Sequence, residues 1–275
     1  MSEDQQNPSE IENNQENQKK PNVKRTKDSN EFYHSQKEYV SSSTLKSVAK
    51  RSVFHHLNSH MTSSEALTVG SAFHTLVLEP HLFDPEFFIM DKFDRRTKTG
   101  KQKAHALESE AIAQGKDCIS RKNFDMITSM KNVIQSHDVC SSILTGGEPE
   151  VSVYVEDFHG IKVRVRPDYL GKDYIVDLKS CQDASPKSFN SDIYRYGWKI
   201  QAAFYADVLG MDKFYFLASE KKSPYACQLY LMSEESMAYG RKEYMKAIEL
   251  WKEYLETGIQ SFYHHPTLNN GVISL

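Results

Sequence analysis

The chain has 275 residues, enough for one sizeable core with extensions, and its 39 % hydrophobic, 26 % charged composition is that of an ordinary globular protein. No run of about 18 apolar residues exists to span a bilayer, and the N-terminus lacks the apolar stretch of a secretory signal, so the cytoplasm is the expected location. The formal net charge of −3 argues against binding a polyanion through bulk charge, although local basic clusters decide such binding.

Residues 1 to about 30 read as a disordered polar tail, too poor in apolar side chains to offset the entropy of ordering. Residues 31–275 are expected to form a single domain: a mainly helical portion over 31–149, a sheet with a helix over 150–232, and a closing helix and tail over 233–275. Ser41-Ser42-Ser43 ahead of Leu45, Val48 and Ala49 predicts a capped amphipathic helix. Helices are further predicted over Ser64–Leu78, ended by Glu79-Pro80, over Lys101–Gln114 and over Lys122–Ser136.

From Glu150 the period changes. Val151, Val153 and Val155 alternate with polar residues, and after the turn Asp157–Gly160 so do Ile161, Val163 and Val165. A third strand, Tyr174 to Ser180, completes an expected meander. Ser185-Pro186 opens a helical stretch with its main body from about Tyr194 to Leu209, stopped by Gly210. Strands Phe214–Ala218 and Ala226–Met232 follow. A long helix, Glu234 to Thr257, is predicted between Ser233 and Gly258, with Met237, Tyr244, Ile248, Trp251 and Leu255 as its buried stripe. Cys118, Cys140, Cys181 and Cys227 form no CxxC pair and read as reduced, mostly buried thiols.

The segment Arg164 to Ser180, RVRPDYLGKDYIVDLKS, carries chemistry. Asp177 and Lys179 are two residues apart on a strand, so both side chains leave one face, and Asp168 at the end of the preceding strand can lie beside it. An Asp/Lys pair on a strand is often only a solvated ion pair, but Tyr174, Ile175, Val176 and Leu178 place this one in a buried strand. Two carboxylates and the carbonyl of Leu178 suit a hard divalent cation, Mg²⁺ or Mn²⁺, with Lys179 placed to stabilise charge growing on phosphorus. The parts fit phosphodiester hydrolysis. Glu150 is a further acidic contact at the start of the first strand.

The pattern Pro167-Asp168, eight intervening residues, then Asp177-Leu178-Lys179 resembles the PD-(D/E)xK nuclease motif. Tyr194 to Asp207, YRYGWKIQAAFYAD, is similar to the helix that follows it in RecE-type exonucleases (exodeoxyribonuclease VIII) and RecB-like nuclease domains, where Gln201 and Tyr205 match a Gln-xxx-Tyr element. Thr68 to Pro80, TVGSAFHTLVLEP, resembles their N-terminal helix, whose metal-binding histidine maps onto His74. Asp177 stands where many members have Glu. The resemblance implies an α/β fold with a restriction-endonuclease-like core, a mixed sheet of about five strands flanked by helices, and a mainly helical N-terminal portion. It implies catalysis by Asp168, Asp177, Lys179, Gln201 and Tyr205, with His74, Asp168, Asp177 and Leu178 around the metal. It further implies a phage-related 5′-to-3′ exonuclease on linear double-stranded DNA in recombination or repair, working as a ring and with a single-strand annealing protein. An endonuclease or 5′-end-processing enzyme on the same core, and a non-catalytic DNA-binding module, are the alternatives.

For the DNA itself, Lys92 to Lys103 holds six basic residues against one acid. Arg95, Arg96, Lys98 and Lys101 read as backbone-phosphate contacts on a flexible loop opening a helix, or else as a solvated loop. Arg164 and Arg166, on one strand face near the motif, either grip neighbouring phosphates or balance the carboxylates.

Overall fold

The computed structural model describes residues 23–59, 64–94 and 96–263. Its central strand, Tyr174–Cys181, lies between two apolar layers. Ile175 and Cys181 face one layer with Phe189, Phe204, Phe214 and Phe216, while Val176 and Leu178 face the other with Phe73, Ile127 and Leu217. Each such fully buried side chain contributes about 1.5–3 kcal/mol. Asp177 and Lys179 share the parity of Ile175 and Cys181, so they leave the strand toward the first layer.

Five strands form the mixed sheet, in spatial order Cys227–Leu231, Lys213–Glu220, Tyr174–Cys181, Tyr169–Leu170 and Glu148–Pro149. Tyr174–Cys181 and Lys213–Glu220 run parallel, with Asp177 opposite Phe216 and Lys179 opposite Ala218; the other pairs are antiparallel. Parallel neighbours need a crossover, and the helices Pro186–Arg195 and Trp198–Leu209 supply it. The expected α/β architecture, a sheet of five strands flanked by helices, is therefore present.

The three strands expected as one meander divide between two sheets. Ser152–Phe158 and Ile161–Val165 pair antiparallel, Val153 opposite Val165, in a smaller sheet. Pro167 ends that ladder because it has no N–H to give, and the chain turns into Tyr169–Leu170, the true hairpin partner of Tyr174–Cys181. The smaller sheet is completed by Val23–Thr26, antiparallel to Ser152–Phe158 with Val23 opposite Val155. This corrects the tail expected through residue 30. Backbone hydrogen bonding to an open sheet edge needs no apolar side chains, and those of Val23–Thr26 stay largely exposed. Residues 1–22 lie outside the described residues.

Several helices carry the caps their sequences promised, whereas Ser185, ahead of Pro186–Arg195, makes no side-chain cap bond. Ser41 Oγ accepts from Thr44 N at the head of Ser42–Lys50, Ser64 Oγ from Leu67 N ahead of Glu65–Leu78, and Ser233 Oγ from Ser236 N ahead of Glu234–Thr257. Each cap contributes about 1 kcal/mol. Arg121–Ser136 is capped by Ser120. The helix expected from Lys101 is Lys98–Ala113, because Thr97 caps it one turn earlier, and it links the short parallel strands Phe87–Met90 and Asp117–Ser120. Four-residue strands leave little periodic trace, so this unit was not anticipated.

The body expected over Tyr194–Leu209 is two helices, broken at Gly197, whose φ of 67° is left-handed. The long C-terminal helix lies close on Trp198–Leu209: a Cβ on Gly240 would come 2.1 Å from the Lys199 carbonyl oxygen. Of its expected stripe, Met237, Tyr244 and Ile248 are buried and Trp251 is half-buried, but Leu255 in the last turn is 60 % exposed. All four cysteines are free, with Cys140, Cys181 and Cys227 buried. No described helix is long and apolar enough to cross a membrane.

Candidate active site

Asp177 is fully enclosed, and its two oxygens face different partners. Oδ1 accepts from Gln201 Nε2 at 2.5 Å, and Oδ2 pairs with the Lys179 ammonium. Gln201 comes from Trp198–Leu209, the helix packed on this face of the sheet, and is itself buried. Lys179 is 18 % exposed in its side chain, with the rings of Trp198 and Phe216 at 5.3 and 5.9 Å from its nitrogen. Burial first, then the charge of Asp168, raise the Asp177 carboxyl against the opposing Lys179, to about 6. Burial pulls the Lys179 amine down, but Asp177 and Asp168 outweigh it and hold the pKa above the ordinary lysine value.

Asp168 stands at the turn into Tyr169–Leu170. Its Oδ2 accepts from Leu178 N at 2.6 Å, which ties the turn to the central strand beside Asp177. His74, on Glu65–Leu78, brings Nδ1 to 3.4 Å from the same oxygen. Glu150 closes the group from the loop between the two sheets, its N–H donating to the Asp168 carbonyl at 3.1 Å. The ligand atoms of His74, Glu150 and Asp168 all lie within 4.8 Å of one another. Burial pushes the Glu150 carboxyl up to about 9, and the neighbouring Asp168 charge adds to it. An imidazole and two carboxylates crowded in this way fit a divalent cation, whose charge would relieve the repulsion.

Of the expected ligand set, His74 and Asp168 stand together in this cluster, with Asp177 and Leu178 on the adjoining strand. Asp177 is occupied by Lys179 and Gln201, and Glu150 completes the cluster with His74 and Asp168. Leu178 is a core side chain whose backbone N–H serves Asp168. Glu150 carries a left-handed backbone, φ 51°, unusual for a residue with a Cβ. Its sequence offered only an acid at a strand start. Lys46, on Ser42–Lys50, was missed altogether: its Nζ stands 3.2 Å from Gln201 Oε1. Only the packing of that helix against Trp198–Leu209 reveals it.

Tyr205 shares a helix face with Gln201, as the spacing required. It is buried in the core, and that burial pushes its hydroxyl pKa well above the ordinary tyrosine value. Arg164 and Arg166 each have protein partners in this structure. Arg164 is 6 % exposed, donates to the Tyr33 carbonyl and lies over the Tyr33 ring at 4.7 Å. Arg166 donates to Ser152 Oγ and the Asp28 carbonyl, at 2.9 Å each from Nη2. Both guanidiniums thus tie the segment before Ser42–Lys50 to the smaller sheet. Arg96 pairs with Asp94 on the surface, and Lys98 and Lys101 project from the first turns of their helix. No hydrogen bond or ion pair links these three to the site among the described residues. Arg95 lies outside the described residues.

A family model described as a PDDEXK-like domain of unknown function (DUF3799) matches residues 41–263. No curated protein matches the chain. Among solved structures, the chain is similar to a candidate exonuclease from Eubacterium rectale, at 15 % identity and a TM-score of 0.58, over 88 % of this chain and 93 % of the other. An alkaline exonuclease from Laribacter hongkongensis aligns over 83 % of this chain and 96 % of its own at 15 % identity, with a TM-score of only 0.30. The first likeness concerns the fold; the second is too distant to argue from.

Proposed function

From the premise that the chain belongs to the family of PDDEXK-like domains, we propose that it is a metal-dependent DNA nuclease working at Asp168, Asp177 and Lys179. One observation carries this reading: a buried Asp–Lys pair and a His–Glu–Asp cluster meet through the Leu178 N–H bond to Asp168. A structural ion pair would not need the second cluster beside it.

His74, Glu150 and Asp168 would hold Mg²⁺ or Mn²⁺, with the Leu178 carbonyl as a further oxygen donor. When bound, such an ion polarises a phosphoryl oxygen and lowers the pKa of adjacent water. Lys179 supplies a fixed cation for the negative charge that builds on the phosphate during displacement. Asp177 and Gln201 hold Lys179 in place, and Trp198 and Phe216 limit its access to water. Arg96, Lys98 and Lys101 remain the proposed contacts to the DNA backbone.

The finer reading is a 5′-to-3′ exonuclease on linear double-stranded DNA serving recombination or repair. The motif resemblance supports it, and the Eubacterium rectale structure of similar fold is itself named as a candidate exonuclease. Ring assembly and an annealing partner are proposed on the resemblance alone. The test pairs a 5′-phosphorylated linear duplex with closed circular DNA, in Mg²⁺ or EDTA. Mg²⁺-dependent loss of the linear form alone supports an end-dependent enzyme. Cutting of the circle replaces it with an endonuclease, and binding with no hydrolysis in either metal removes the enzyme reading.

A further inference from the structure

We propose that Lys46 is a positioning residue of this site, holding the Gln201 amide by its oxygen so that its NH₂ fixes Asp177. The proposal rests on the nuclease reading for its effect on rate, while the contact itself does not depend on it. Ser42–Lys50 buries Leu45 and Val48, and this packing aims Lys46 across the start of Trp198–Leu209. The lysine stem passes Gly197, where a Cβ would lie 3.7 Å from Lys46 Cγ and 3.0 Å from Lys50 Cδ. One helical turn further, Lys46 Nζ stands 3.2 Å from Gln201 Oε1, and Gln201 Nε2 stands 2.5 Å from Asp177 Oδ1.

A glutamine amide has a donor end and an acceptor end. Asp177, when ionised, accepts only, so it requires the NH₂ end; Lys46 donates only, so it requires the oxygen end. Held from both sides, the amide keeps one orientation, and Asp177 Oδ2 is left facing Lys179. The placement is unfavourable for an amine taken alone. Burial and then the Lys179 charge pull the Lys46 pKa down, Asp177 and Asp168 only partly compensate, and it settles at about 8. A lysine reaching for solvent would avoid this.

The test is a mutant cycle on the full chain: Lys46→Met, Gln201→Met and the pair, with Lys46→Arg as the conservative variant. Two readouts are needed, steady-state cleavage of linear duplex in Mg²⁺ and the Gln201 side-chain NH₂ signals by ¹⁵N NMR, assigned through their loss in Gln201→Met. Lys46→Met is expected to lower kcat by at least about tenfold with KM for DNA within about twofold, as for a group that orients another. Lys46→Arg should recover most of the rate, and the double variant should be no slower than Gln201→Met. The NH₂ signals should shift and exchange faster in Lys46→Met. An unchanged kcat, a loss confined to KM, or additive losses would overturn the proposal. If the wild-type chain cleaves no DNA, the nuclease reading fails by itself, and unchanged NH₂ signals in Lys46→Met would separately overturn the contact.

Discussion

His74 Nδ1 lies 3.4 Å from Asp168 Oδ2, joining a helix from one face of the sheet to the turn that opens the Tyr169–Leu170 hairpin. The same oxygen accepts from Leu178 N. The candidate site is therefore composite: the helical N-terminal portion supplies the imidazole, and the sheet supplies the Asp–Lys pair.

The first prediction concerns Glu150. If it completes a cation site with His74 and Asp168, Mn²⁺ should raise the melting temperature of the wild-type chain, since a ligand bound only by the native state stabilises it. Glu150→Gln should weaken Mn²⁺ binding by about tenfold or more, measured by calorimetry. An unaltered affinity would remove Glu150 from the ligand set.

Arg164 separates a structural role from a DNA contact. Its guanidinium is buried against Tyr33, so Arg164→Met should cost about 1–3 kcal/mol of stability while leaving DNA affinity unchanged. Denaturant melts and a salt-matched DNA-binding titration read the two effects. A stable variant with weakened binding would restore the phosphate-contact reading.

Gly240 sets the distance between the long helix and the one bearing Gln201. A methyl group there meets the Lys199 carbonyl, so Gly240→Ala should destabilise by about 1–3 kcal/mol as the helices part. An unchanged melting temperature would mean that the contact yields freely.

Lys46 gives a pH signature with a definite sign. Its folded pKa, about 8, lies below the ordinary 10.5. As pH falls from 10.5 to about 8 the unfolded chain takes up a proton that the folded chain resists, so stability declines through that window and is level below it. Lys46→Met removes this decline. In EDTA, its stability relative to wild type should therefore be higher at neutral pH than near pH 10. A difference that does not change with pH would contradict the buried, depressed amine.

Asp168, Asp177, Lys179, Gln201 and His74 could be found in the chain because their spacing is local or follows a motif order, and the capped helices because caps are local chemistry. What escaped was set by partners distant in sequence. Glu150 acquires its left-handed backbone where Glu148–Pro149 pairs with Tyr169–Leu170. Val23–Thr26 is a strand through backbone bonds that no side-chain pattern announces. Arg164 and Arg166 read as phosphate grips or counter-charges to the carboxylates, yet the carbonyls of Tyr33 and Asp28 are their partners. Lys46 was an ordinary exposed-face lysine until two helices packed.

The central claim is that this site hydrolyses DNA through Lys179 beside a divalent cation. Its most direct measurement is cleavage of linear duplex by wild-type and Lys179→Met proteins, in Mg²⁺ and in EDTA, with folding checked by thermal melts. The account requires cleavage by wild type in Mg²⁺ only, and a loss of about 10²-fold or more in the variant. Equal cleavage by a folded Lys179→Met protein, or cleavage that survives EDTA, would contradict it.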